Sequence, residues 1–241
     1  MQPLTTLIVE DDMPFAIALG HMLRFLGYPV LGVATNGDEA ITAARLLCPD
    51  VVLMDVRMRT PQEGIVAAAA IESTLGIPVV LVTAARESVE PESPRFHGCV
   101  LKPCHQIDMQ ASLEAAWCCS DGGLRPSRLE QLDKPAICAD EEGRVTLLNG
   151  AAQELTGWSA AEATGMDIDA VLPLAYVSAE ATAAALCRCA CLQRYTITAT
   201  RRELQGRDGV VHSVQVCVAA LLVRDRAPQG ALVMLQAMTA S

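Results

Sequence analysis

Six polar side chains close apolar runs in the first half of the chain: Glu10, Asp11 and Asp12 after "LTTLIV", Asp55 at the end of "DVVLMD", Thr83 in "PVVLVTA" and Lys102 after "GCVL". Gathered together they would form an acidic cluster with one hydroxyl and one amine. Neighbouring carboxylates repel and favour a hard divalent cation, which for oxygen ligands and an open shell points to Mg²⁺. A carboxylate can also attack a phosphoryl group to give an acyl phosphate, while the cation and an amine neutralise the transferred oxygens. Any one of these residues alone is more often a turn former or helix cap. Four strand ends carrying complementary types favour the chemical reading.

The elements that must position them alternate. Residues 4–9, 29–34, 50–55, 78–84 and 98–102 read as strands, and 14–27, 37–48, 64–76 and 106–117 as amphipathic helices, with Pro14 opening the first helix and Gly27 closing it. Strand–helix alternation with near-continuous apolar strands predicts a parallel sheet covered on both faces. In such a doubly wound sheet the ligand site lies outside the carboxyl ends of the strands, where the six residues fall. The stretch 85–97 resists the pattern. Pro91 and Pro94 each remove a donor and clash with a continuing helix, so a short, displaced or missing helix is expected there.

Around "CCSDGGLRPSRLEQL" (118–132) the composition shifts toward Gly, Pro and polar residues, as at a domain boundary. Beyond it the pattern is rich in strands: 136–140, the turn "EEGR", 145–149, a helix at 150–157, a helix within 176–194, then three antiparallel strands joined at "GRDG" and "DRAPQG". Alternation in "HSVQVCVA" predicts a sheet with one covered face.

Composition narrows the function. The chain has 241 residues, 51% of them hydrophobic, and a formal charge of -10, with 7 basic against 14 acidic side chains over 1–119 and 11 against 14 over 120–241. Two domains are expected from the length. The acidity argues against a nucleic-acid surface, which needs clustered Lys and Arg. The N-terminus lacks the features of a signal peptide and no apolar run reaches about 18 residues, so a cytoplasmic protein without membrane contact is expected. The ten cysteines then read as small apolar residues rather than a disulfide framework. "CRCAC" (Cys187, Cys189, Cys191) has no zinc-knuckle spacing and no nearby His.

Over residues 3–117, "IVEDD", "VVLMDVRM", "LVTA" and "VLKP" resemble the receiver domain of two-component response regulators, a CheY-like, flavodoxin-like α/β fold with a five-stranded parallel sheet. The resemblance makes Asp55 the phosphoacceptor, Asp11 the direct Mg²⁺ ligand and Glu10 its helper through water, and the backbone carbonyl of Arg57 completes the protein ligands. It makes Thr83 the hydroxyl that follows the phosphoryl group, Lys102 the cation that contacts it, and Lys102-Pro103 a cis peptide. A partner histidine kinase or phosphotransfer protein would supply the phosphoryl group. Haloacid-dehalogenase-like phosphatases also use a strand-end Asp, but need a second acid two positions later, where this chain has Arg57.

Three departures from the receiver pattern stand out. Gly64 lies nine positions after Asp55, Cys99 takes the place of the usual Tyr or Phe, and the prolines break the segment before it. Phosphorylation is expected to survive them, while the usual route of reporting it is put in question. Residues 128–240 resemble a PAS domain, an α+β fold on an antiparallel sheet. The flavin-type cysteine motif is missing and His212 lies on a strand, so an empty or small-ligand PAS serving dimerisation or protein contact is expected, its ligand unknown.

The expected organisation is a receiver over 1–119, a linker over 120–131 and a PAS domain over 132–241. Its function would be a Mg²⁺-dependent phosphorelay through Asp55, by a phosphoacceptor rather than an enzyme, relayed through the PAS domain, a partner protein or a homodimer. The alternatives are a non-catalytic PAS scaffold with a degenerate receiver, or the front part of a larger signalling kinase or cyclase.

Overall fold

A computed structural model describes residues 3–84, 96–120, 124–174, 182–193, 196–222 and 228–238; Pro91 and Pro94, and residues 85–95 of the segment expected to lose its helix, lie outside them. The first half runs β1 (Thr6–Val9), α1 (Met13–Phe25), β2 (Val30–Ala34), α2 (Gly37–Leu47), β3 (Val51–Asp55), α3 (Glu63–Leu75), β4 (Val79–Thr83), β5 (Gly98–Leu101) and α4 (Gln106–Cys118). Local chemistry explains the helix starts. Asp12 accepts a hydrogen bond from Phe15 N at 3.2 Å and Pro14 sits in the first turn of α1, while Asn36 accepts from Glu39 N at 3.0 Å to open α2.

The five strands pair in parallel in the order β2-β1-β3-β4-β5. β3 and β4 are buried along their whole length, as their apolar runs require. One face packs on α2 and α3 through Leu7, Val52, Ala68 and Ile71; the other packs on α1 and α4 through Ile8, Leu23, Met109 and Leu113. The flavodoxin-like sheet is therefore as expected, and the carboxyl ends of β1, β3, β4 and β5 meet on one edge.

After the short helix α5 (Pro126–Leu129) come β6 (Ala136–Ala139), β7 (Val145–Leu148), α6 (Gly150–Thr156), α7 (Ala160–Ala163), α8 (Ile168–Val171), α9 (Ala183–Gln193), β8 (Ile197–Gln205), β9 (Val211–Ala220) and β10 (Ala231–Ala237). Their antiparallel sheet has the order β7-β6-β10-β9-β8. The helices close one face with small side chains, Ala152, Ala183, Cys187 and Ala190, against Ile137, Val216 and Val233.

The single covered face expected from "HSVQVCVA" needs correction. Val214 and Val216 through Ala220 are all buried. The second face of the sheet, with Cys138, Cys217, Ala219, Leu232 and Met234, packs on Ile107, Ala111 and Ala115 of α4. α4 is thus held between two sheets. That accounts for its burying nearly every position, Ser112 and Glu114 included.

Asn149 ties the second domain to its entry segment. It is 0% exposed; its Oδ1 accepts from Ala136 N and Ala152 N, both at 3.0 Å, and its Nδ2 donates to Leu132 O at 3.1 Å and Lys134 O at 2.8 Å. All four capacities of the amide are used. Asn149→Ala leaves buried backbone groups unpaired and is expected to cost about 2–4 kcal/mol, read as a lower midpoint in urea with an unchanged m-value. An unchanged midpoint would contradict this role. No helix among the described residues is long and apolar enough to cross a membrane.

Candidate functional site

The edge formed by the carboxyl ends of β1, β3, β4 and β5 brings the expected residues together. Carboxylate oxygens of Glu10, Asp11 and Asp55 lie within 4.8 Å of one another. Glu10 and Asp55 are buried and Asp11 is exposed, so the cluster opens to solvent on the Asp11 side. Asp12 takes a different part: its side chain caps α1. Lys102, carried past the end of β5, donates from Nζ to Glu10 Oε2 at 2.7 Å and to Asp55 Oδ2 at 3.0 Å. The same Nζ lies 4.2 Å from the ring centroid of Phe15, a contact that fixes the amine from its apolar side.

Burial pushes the Glu10 carboxyl up to about 7, with the neighbouring Asp55 charge adding to it and the hydrogen bond from Lys102 opposing it. For Lys102, burial works to lower the amine, but the hydrogen bonds it donates to Glu10 and Asp55 and their charges outweigh it and hold the amine above its ordinary value. Three carboxylates facing one amine leave an excess of negative charge in a half-buried site. Hard oxygen donors in this number fit a Mg²⁺ ion that keeps some of its own water.

Backbone contacts aim the nucleophile candidate. Arg57 N donates to Asp55 Oδ1 at 3.1 Å, which leaves Oδ2 to the amine. Arg57 follows Asp55 by two residues and its side chain is exposed, so only its backbone joins the site. Thr83, 1% exposed, ends β4, and its carbonyl accepts from Lys102 N at 2.8 Å. The Lys102-Pro103 peptide is cis, as the resemblance implied.

The packing of two neighbours of the site was hidden in the sequence. A Cβ on Gly64 would lie 1.9 Å from the backbone oxygen of Asp55 and 3.0 Å from Val56 Cα, so α3 meets the β3 loop with no room for a side chain. Glu63, beside it, accepts from Gly37 N at 2.9 Å and joins α3 to α2. Gly64→Ala must displace the backbone that carries Asp55 and is expected to cost about 1–3 kcal/mol. It should also slow any reaction of that carboxylate. Wild-type stability and reactivity in Gly64→Ala would show that the loop yields freely. Its spacing after Asp55 drew attention to Gly64, but the contact is visible only in three dimensions.

Cys99 is 5% exposed, and burial pushes its thiol up to about 12, so it stays a neutral apolar group in the β5 core. Its carbonyl accepts from Thr196 N at 3.2 Å, just before β8, and the hydroxyls of Thr196 and Ser112 on α4 hydrogen-bond to each other. β5 is therefore joined directly to the second domain. In the "CRCAC" stretch, Cys187 and Cys191 are buried on α9 within the hydrophobic core.

A model of the response regulator receiver domain matches residues 6–114, and a model of the PAS fold matches residues 123–238. The transcriptional regulatory protein PdtaR of Mycobacterium tuberculosis is 37% identical over 117 residues, covering 47% of this chain and 57% of the relative. The DNA-binding response regulator MtrA of Mycolicibacterium smegmatis is 36% identical over 84 residues, covering 35% of this chain and 36% of that protein. This chain thus matches little more than half the length of the first relative and about a third of the second. Among solved structures, the receiver domain of the PhyR response regulator from Erythrobacter litoralis aligns with a TM-score of 0.47 and 25% identity over 52% of this chain and 98% of that one.

Proposed function

From a chain that joins a response regulator receiver domain to a PAS fold, we propose a two-component phosphoacceptor whose state is relayed to the PAS domain. The observation that carries the reading is the Lys102 amine held between Glu10 and Asp55, with Asp11 beside them. In the proposed step an Asp55 carboxylate oxygen attacks the phosphorus of a phosphohistidine on a partner kinase. The P–N bond breaks, its electron pair stays on the imidazole nitrogen, and an acyl phosphate forms on Asp55. Lys102 holds positive charge where the transferred oxygens gather. Glu10, Asp11, Asp55 and the Arg57 carbonyl would hold Mg²⁺, which supplies further charge neutralisation there. Arg57 N keeps the Asp55 carboxylate aligned for in-line attack, and the Thr83 hydroxyl turns toward the new phosphoryl oxygens. The protein acts as an acceptor, not as a turnover catalyst.

Relay to the PAS domain is supported by two contacts. β5, which ends next to Lys102, is bonded through the Cys99 carbonyl to Thr196. α4 packs on the receiver sheet through Met109 and Leu113 and on the PAS sheet through Ile107, Ala111 and Ala115. A shift of β5 and α4 on phosphorylation would thereby alter the PAS sheet, a two-state element biased by the new charge. Amide hydrogen exchange with and without acetyl phosphate and Mg²⁺ tests this. The expected change lies in α4, β9 and β10 and is missing in Asp55→Asn; a change confined to residues before 106 would overturn the relay.

A further inference from the structure

Where the receiver meets the segment that enters the PAS domain lies a cavity of ≈ 270 Å³ between the turn after α1, the outer side of α4 and residues 131–134. Glu114 of α4 lines it and is 7% exposed. Tyr28 Oη donates to Glu114 Oε1 at 2.5 Å and Gln110 Nε2 donates to the same oxygen at 2.9 Å. Oε2 of Glu114 is buried with no hydrogen-bond partner among the described residues. A buried acceptor without a donor costs free energy, and an ionised one costs more. The site shows that cost: burial pushes the Glu114 carboxyl above its usual range, despite the bonds from Tyr28 and Gln110 that oppose the rise.

The charges facing the cavity identify what would relieve it. Asp133 lies on its exposed side, and Lys134 spends a hydrogen bond on Gln110 Oε1 rather than on the buried Glu114 Oε2. With Glu114 ionised, two carboxylates and one amine leave one negative charge to be met. Leu4, Leu26, Leu132 and Trp117 supply apolar walls. At about 30 Å³ per water the space exceeds what one or two bridging waters fill and suits a molecule of roughly five to eight heavy atoms.

We propose that this cavity binds a small organic ammonium ion, its N–H group donating to Glu114 Oε2 and its hydrocarbon part lying against Leu132 and Trp117. The walls come from both sides of the domain junction, so the ligand's binding and the docking of the two domains are reciprocally coupled. The inference is independent of phosphorylation at Asp55.

The test uses the intact chain, titrated at constant ionic strength with n-butylammonium chloride and, separately, with neutral n-butanol, followed by ¹H–¹⁵N spectra. The ammonium ion should give saturable shifts at the Trp117 indole N–H and the amides of residues 110–117 and 131–134, while n-butanol gives none. Glu114→Gln should weaken binding about tenfold or more, since a charge-assisted hydrogen bond is lost. If that variant does not fold, Asp133→Asn, at an exposed position, should weaken binding about two- to fivefold. Equal shifts from both probes, shifts elsewhere, or unchanged affinity in the folded variant would overturn the proposal.

Discussion

Asp55→Asn is expected to reduce phosphoryl labelling by acetyl phosphate or by a phosphohistidine donor to background, with far-UV circular dichroism and the cooperative unfolding transition retained. The amide keeps the size of the carboxylate and can still accept from Arg57 N, the bond that holds Asp55 Oδ1 at 3.1 Å. It offers no anionic oxygen to attack phosphorus, so the covalent step has no nucleophile. The substitution also removes one of the charges that draw Lys102 into the site, since Nζ lies 3.0 Å from Asp55 Oδ2. Lys102 keeps its 2.7 Å contact to Glu10, and the fold should not suffer. Labelling of the folded variant at the wild-type rate would move the acceptor to another residue.

Lys102→Met should leave the acceptor in place and slow its reaction roughly a hundredfold or more, the usual loss when a charge-stabilising donor is removed from a reacting centre. Methionine preserves the apolar stem and its contact with Phe15, whose ring lies 4.2 Å from the native amine. What is lost is the positive charge between two carboxylates, of which Glu10 is 2% exposed. Without the amine the carboxylates repel at close range, so a bound divalent cation should raise the melting temperature more in Lys102→Met than in wild type. Phosphorylation kinetics at fixed Mg²⁺ and thermal melts with and without Mg²⁺ check the two parts. A wild-type rate in the variant would remove Lys102 from the chemistry.

Much of the receiver was legible because its signals are local. The apolar runs ending in Asp55 and Thr83 and the placing of Glu10, Asp11 and Lys102 after strands follow from period and the geometry of a doubly wound sheet, while Asp12, grouped with the acidic cluster, caps α1 instead. The second domain was legible in its strand pattern, down to the antiparallel pairings of β8 with β9 and of β9 with β10.

What escaped was tertiary. β9 reads as a strand with one covered face because Gln215 and Ser213 alternate with Val214 and Val216, yet Cys217, Ala219 and Ala220 are buried as well. The covering element is α4, about a hundred residues earlier in the chain, and no local period reports such a pairing. The hint was composition: α4 carries Ala111, Ala115 and Ala116 and is followed by Cys119, small side chains that let a sheet approach on each side. Glu114 escaped for the same reason, since on a helix read as amphipathic a glutamate calls for no partner.

The central claim is that Asp55 accepts a phosphoryl group with the help of Lys102 and the Glu10–Asp11 carboxylates. Its most direct test is the intact mass of the wild-type chain after incubation with acetyl phosphate, with Mg²⁺ or with a chelator, followed by borohydride reduction and peptide mapping. The account predicts one phosphoryl increment that requires Mg²⁺ and maps by reduction to position 55. No increment, one that persists in chelator, or one that maps to any other residue would contradict it.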